Sequence, residues 1–167
     1  MDLCNINQIK ALLQRHGFRF SKSMGQNFLI DPAVPQGIAD ASAAAPGYGV
    51  LEIGPGIGPL TEQLAQLADQ VTAVELDRAL LPILQETLAD YPNVSIISGD
   101  ILKLNLPELV QYAFPGLTPV VCANLPYNIT TPVLTTLLDS KLFASITVMI
   151  QREVAKRICA NPHTSDY

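Results

Sequence analysis

Val50-Leu51-Glu52-Ile53-Gly54-Pro55-Gly56-Ile57-Gly58 reads as a short apolar strand, Val50–Ile53, running into a glycine-rich loop. Glycines there let the backbone turn tightly and let a ligand come close. The spacing departs from the G-x-G-x-x-G of dinucleotide-binding folds. The third glycine falls one residue early, and Glu52 has no place in that pattern. Such a loop can cradle an amino-acid moiety in place of a pyrophosphate, or serve only as a turn. Leu60, Leu64 and Leu67 follow at helical spacing, so the stretch opens a strand–loop–helix unit.

Downstream the alternation continues. Val71–Glu75, Val94–Ser98, Val120–Ala123 and Ile146–Ile150 read as strands. Between them lie helical patterns. Leu80, Leu81, Leu84 and Leu88 mark one, its start bent or delayed by Pro82. A short helix is expected over Leu106–Phe114, another capped by Thr131-Pro132 and running through Leu138, and a last one over Arg152–Ala160. Upstream, Ile6, Ile9, Leu12 and Leu13 repeat behind Asn5, with Gly17 as a stop. Asp31-Pro32 caps a helix expected to reach Ala44, and Pro46–Gly49 reads as a turn. Strands separated by helices predict an α/β fold: a parallel sheet with helices on both faces.

Composition bounds the class. The chain has 167 residues, 49% of them hydrophobic and 15% charged, enough for one domain with a core and too little charge for disorder. The longest uncharged stretch, Leu109 to Leu138, is broken by prolines, and no apolar leader follows Asp2. Cys4, Cys122 and Cys159 are odd in number and form no C-x-x-C pair, which fits a reducing cytoplasm. His16 and His163 stand far apart, so no metal site is expected. The net charge of −5 is uneven: residues 26–100 hold one basic group and ten acids. Basic groups gather instead at Lys10, Arg15, Arg19 and Lys22 and at Arg152, Lys156 and Arg157. On charge alone these are either solvated helix faces or phosphate contacts.

In a parallel sheet of this kind the ligand site lies beyond the carboxyl ends of the strands. Gly54, Glu75, Asp100 and Asn124 fall at or just after the ends of the first four strands. An acid at Glu75 can accept both hydroxyls of a ribose, in any adenosine cofactor. Asp77 suits the N-cap of the next helix. Asp100 can accept from an adenine amine, or simply make a turn after Gly99. Asn124-Leu125-Pro126-Tyr127 offers an amide oxygen, a proline-constrained carbonyl and a stacking ring. Alone it would be an Asn-x-Pro turn; with the other three strand ends it reads as a substrate mouth.

These motifs resemble those of the ribosomal RNA adenine dimethyltransferases. The resemblance runs through Gly25-Gln26-Asn27-Phe28-Leu29, Glu52–Gly56, Val74–Asp77, Gly99-Asp100, Asn124–Asn128 and Gln151–Ala155. It implies a Rossmann-like S-adenosylmethionine-dependent methyltransferase fold. It further implies methyl transfer to two adjacent adenines near the 3′ end of small-subunit ribosomal RNA, in ribosome biogenesis. By the same resemblance Asn27, Leu29, Gly54, Glu75, Asp100 and Asn124 bind the cofactor. Asn124, Leu125, Pro126 and Tyr127 form the catalytic motif. Lys22, Arg152 and Lys156 are expected on RNA phosphates. Pro55, Leu125 and the sequence around Gln151 favour the small-subunit enzymes over the large-subunit relatives.

The family's chain is longer. Residues 1–167 are therefore expected to be an incomplete, C-terminally truncated catalytic domain, without the terminal sheet strands and the helical C-terminal domain. The partner expected is the immature small ribosomal subunit, no membrane, with the protein acting as a monomer. Other readings stay open: a large-subunit methyltransferase, a non-catalytic assembly factor on the same fold, and an NAD-dependent oxidoreductase supported only by the loop and Glu75.

Overall fold

Strands of four to seven residues, built around Val and Ile, set the frame of this computed structural model, which describes residues 1–18 and 28–161. The strands are Tyr48–Ile53 (β1), Gln70–Glu75 (β2), Val94–Ser98 (β3), Thr118–Asn124 (β4) and Ile146–Met149 (β5). They form one sheet in the order β3-β2-β1-β4-β5, and every pair is parallel. The helices are Ile6–Arg15 (α1), Ala33–Ala41 (α2), Pro59–Leu67 (α3), Leu81–Thr87 (α4), Leu106–Ala113 (α5), Thr130–Ser140 (α6) and Arg152–Ile158 (α7).

Two-residue periodicity sorts the strand side chains onto two faces. Leu51, Ile53, Val74, Val121 and Ala123 pack with Leu106 and Leu109 of α5 and Val133 and Leu137 of α6. Val50, Val71, Val120 and Cys122 pack on the opposite face with Ala39 of α2 and Leu60 and Leu64 of α3. A third cluster joins Ile9, Leu12 and Leu13 of α1 to Ile83 and Leu84 of α4 and to Ile57 of the glycine loop. The central strands are thus covered on both sides, as parallel sheets require. Burial thins toward β5, whose residues are all half-buried, and α7 has no buried residue. Among the described residues no helix is long and apolar enough to cross a membrane.

Several boundaries differ from the sequence-based expectation, each for a local reason. The helix from Ala33 ends at Ala41, not Ala44. Ser42 Oγ donates to the Ala39 carbonyl and accepts from the Ala44 N–H, which turns the chain early. Tyr48 and Gly49 are strand, not turn, so β1 begins two residues sooner. Gly49 is needed there because a Cβ would fall 2.2 Å from the Phe114 ring. β4 likewise starts early, at Thr118, and takes in Asn124 as its last residue. Thr131 does not cap α6, which begins at Thr130. β5 ends at Met149 and α7 at Ile158, each short of the expected end. Pro32, not Asp31, holds the N-cap position of α2, although Asp31 Oδ1 still accepts from Ala33 N–H at 3.0 Å. Asn5 and Asp77 cap as expected. Asn5 accepts from the Asn7 and Gln8 N–H groups, and Asp77 accepts from Ala79 N–H to open the 3₁₀ turn Arg78–Leu80 ahead of Pro82.

The chain leaves β1 in one direction to build β2 and β3, and later returns to its other side to build β4 and β5. The carboxyl ends of β1 and β4 therefore flank a topological switch point, where a crevice opens.

Candidate functional site

A cleft of about 270 Å³ occupies that crevice. Its lining includes Gly54, Glu75, Asp100 and Asn124, the four strand-end residues, so the register read in the sequence is a real convergence in space. Leu125, Pro126 and Tyr127 line it as well.

The glycine loop supplies the first wall. Gly54 adopts φ +69°, which a side chain resists. Its N–H still reaches the Val74 carbonyl at 2.9 Å, so the loop leaves the sheet only after one more ladder bond. The bare Cα faces Pro126, whose ring atoms would lie 3.6 Å from an added Cβ.

Glu75 ties the loop to the end of β2. One carboxylate oxygen accepts from Asp77 N–H at 2.8 Å and the other from Gly56 N–H at 3.4 Å. The residue is 6% exposed. Burial raises its pKa above the ordinary carboxylate value, opposed by those backbone donors. A carboxylate offers about four acceptor positions, so two remain for a diol. Asp100 is more open. Its Oδ1 accepts from Leu102 N–H at 3.0 Å, making the turn, while Oδ2 lies 3.7 Å from Lys103 Nζ. The turn role and the cleft-facing role therefore coexist in one side chain.

The opposite wall is built differently. Asn124 ends β4 in register with Met149, and Leu125, only 1% exposed, donates its N–H to the Met149 carbonyl at 3.1 Å. Neither the Asn124 side chain nor the Leu125 carbonyl has a hydrogen-bond partner among the described residues. Tyr127 stands at the mouth, 45% exposed.

Glu52 belongs to the same motif but not to the cleft. It is 1% exposed, its Oε2 has no partner, and burial pushes its pKa up to about 8. At neutral pH it is mostly the neutral acid.

Not every expected residue meets the cleft. Leu29 is half-buried and does not line it; its neighbour Phe28 does. Arg152 and Lys156 are exposed on α7, away from the lining. Asn27 and Lys22 lie outside the described residues. Sequence reasoning also missed two apolar walls, Leu76 and Ile101. Each directly follows a strand-end acid, Glu75 or Asp100, and that position is the signal that could have found them. Among the described residues no group of three or more His, Cys, Asp or Glu converges as a metal site would need.

A profile of the family described as "Ribosomal RNA adenine dimethylase" matches residues 17–167. The chain is 50% identical over 159 residues to ribosomal RNA small subunit methyltransferase A of Alkaliphilus oremlandii, covering 95% of this chain and 55% of that protein. It is 51% identical over 168 residues to the protein of the same name from Shouchella clausii, covering 99% and 57%. The chain thus spans somewhat over half the length of these curated relatives. Among solved structures, the 23S rRNA methyltransferase ErmE matches with TM-score 0.69 at 32% identity, over 84% of this chain and 52% of that one. A dimethyladenosine transferase from Plasmodium falciparum matches with TM-score 0.68 at 31% identity, over 82% and 48%.

Proposed function

The chain belongs to the ribosomal RNA adenine dimethylase family, and from that premise we propose that its cleft binds S-adenosylmethionine and an extruded adenine. The protein then methylates the N6 amines of two adjacent adenines near the 3′ end of small-subunit ribosomal RNA. Relatives named for the small subunit share 50–51% identity with the chain, against 32% for the 23S enzyme, which favours the small-subunit target. The reading places the protein in the cytoplasm, as a monomer on an immature small subunit. It treats residues 1–167 as the catalytic domain of a longer protein, incomplete without further strands and a helical domain.

The observation that carries the proposal is the pairing of two kinds of wall in one cleft. On one side are carboxylates with acceptor positions to spare; on the other are an amide and a carbonyl with no partner among the described residues. The residues present fit S-adenosylmethionine. Glu75 has capacity for a ribose diol, Asp100 can take an adenine amine, and Leu76 and Ile101 give apolar surface for a base. Gly54, with no side chain, lets the backbone come close to the amino-acid end. Asn27 and Leu29 are assigned to the same cofactor on resemblance alone.

S-adenosylmethionine, when bound, supplies an electrophilic methyl group on a sulfonium. The chain's own residues deal with the weak nucleophile. Adenine N6 delocalises its lone pair into the ring, and the base must leave its stack to be reached. Asn124 Oδ1 and a backbone carbonyl accept from the amine, which favours a more tetrahedral nitrogen. Of the two carbonyls in the turn, Leu125 is the free one. Tyr127 stacks on the base and holds its plane. Positioning and preorganised dipoles provide the acceleration. Among the described residues no histidine or cysteine lines the cleft, and none is needed, because N6 becomes acidic as it gains the methyl group. Lys22, Arg152 and Lys156 are assigned to RNA phosphates.

The test is methyl transfer by the protein in the full length its gene encodes, with small subunits purified from a methylation-deficient strain. Label on the two adjacent adenines supports the proposal. Label confined to large-subunit RNA reassigns the target. Absence of label, with binding to immature subunits retained, favours the non-catalytic assembly role.

A further inference from the structure

The turn Leu125-Pro126-Tyr127 carries two carbonyls that could in principle meet the substrate amine, and the structure treats them unequally. The Pro126 carbonyl accepts from Ile129 N–H at 3.3 Å and from Thr130 Oγ1 at 3.1 Å. A carbonyl oxygen has two lone pairs, so this one is full. The Leu125 carbonyl accepts nothing among the described residues. Thr130 is the first residue of α6 and only 4% exposed, whereas the adjacent Thr131 faces solvent. Thr130 does not line the cleft, so it acts on the site only through the turn.

We propose that Thr130 is a positioning residue for methyl transfer. Its hydroxyl occupies the Pro126 carbonyl and pins the turn to the start of α6, leaving the Leu125 carbonyl beside Asn124 as the acceptor for the substrate amine. The inference rests on the methyltransferase reading above. Without the hydroxyl, the Pro126 carbonyl keeps only its bond from Ile129 N–H, and the turn is tied less firmly to the start of α6. The adjacent Leu125 carbonyl is then held less well for the amine, with no change to the surfaces that bind cofactor or RNA, so the loss falls on kcat.

The experiment uses the protein in the full length its gene encodes, with methylation-deficient small subunits as substrate. Thr130→Val removes the hydroxyl at nearly constant shape, and Thr130→Ser keeps it. The expected result for Thr130→Val is a kcat about tenfold lower, the rate equivalent of one net hydrogen bond. The KM for subunits and the Kd for S-adenosylmethionine stay within about twofold. The second methyl transfer slows more than the first, because a methylated amine has one fewer proton to be held. Thr130→Ser restores kcat to near the parent value. If Thr130→Val does not fold, Thr130→Ala carries the same comparison with Thr130→Ser. A parent-like kcat in the hydroxyl-free variant overturns the proposal, as does an equal loss in the serine variant. A parent protein that binds S-adenosylmethionine yet methylates no RNA would instead overturn the functional reading beneath it.

Discussion

The two walls of the cleft are held in opposite ways. On the β1–β2–β3 side, Glu75 and Asp100 already accept backbone N–H groups, from Asp77, Gly56 and Leu102. Their orientation is fixed by the turns they make, and a ligand takes the acceptor positions left over. On the β4–α6 side, Asn124 and the Leu125 carbonyl have no partner among the described residues, and the turn is fixed from behind through Pro126. Unpaired polar groups cost free energy in a site closed to water. An arrangement that leaves them unpaired suits groups whose partner arrives with the substrate. On the proposed reading, one wall serves binding and the other chemistry.

Substitutions should separate the walls. The largest effect is expected from Asn124→Ala in the protein at the full length its gene encodes. Loss of a preorganised acceptor at the reacting atom should lower kcat by at least about 10²–10³. Single-turnover methylation of small subunits would show it, with affinity for S-adenosylmethionine weakened far less. A comparable loss of cofactor binding would mean that the two walls are not separable.

Glu52 gives the next effect, and it concerns stability. It lies one strand away from Glu75, still more deeply buried, and with no partner on Oε2. Below about pH 4.5 its carboxyl is protonated whether the chain is folded or not, and its contribution is fully present. Above that the unfolded chain ionises first, so stability falls until the pH passes about 8 and the folded form ionises too. At about 1.4 kcal/mol per unit, the fall is on the order of 5 kcal/mol. Denaturant melts of parent and Glu52→Gln between pH 5 and 8 should diverge steadily in slope. Parallel profiles would show that Glu52 is charged in the native protein.

Tyr127→Ala should cost about tenfold in kcat/KM for subunits, the worth of one stacked base, with cofactor binding intact. The smallest effects belong to the basic residues outside the cleft. Arg152→Ala and Lys156→Ala should each weaken RNA binding a few-fold and flatten its log–log salt dependence by about one unit. An unchanged slope would remove α7 from the RNA surface.

The strand-end register was legible because it rests on short-range rules. Val- and Ile-rich stretches mark the strands, and Gly54, Glu75, Asp100 and Asn124 stand at or just after four of their ends. What stayed hidden depends on contacts distant in sequence. The early start of β1 turns on Phe114 filling the space above Gly49, 65 positions away. The α6 boundary was misread because Thr130 and Thr131 are identical in type, and only burial tells which one bonds to Pro126. Leu76 and Ile101 read as ordinary apolar residues until the cleft placed them on its walls. Glu52 stood out only as a residue with no place in the dinucleotide pattern; the fold shows it buried in the core of β1.

The most direct test of the central claim is an equilibrium titration of the chain with S-adenosylmethionine, with NAD in parallel, comparing parent with Glu75→Ala. The account expects saturable binding of S-adenosylmethionine, weakened about 10²-fold in the variant, where two charged hydrogen bonds are lost, and no binding of NAD. Binding of NAD in place of S-adenosylmethionine, or S-adenosylmethionine affinity indifferent to Glu75, would contradict it.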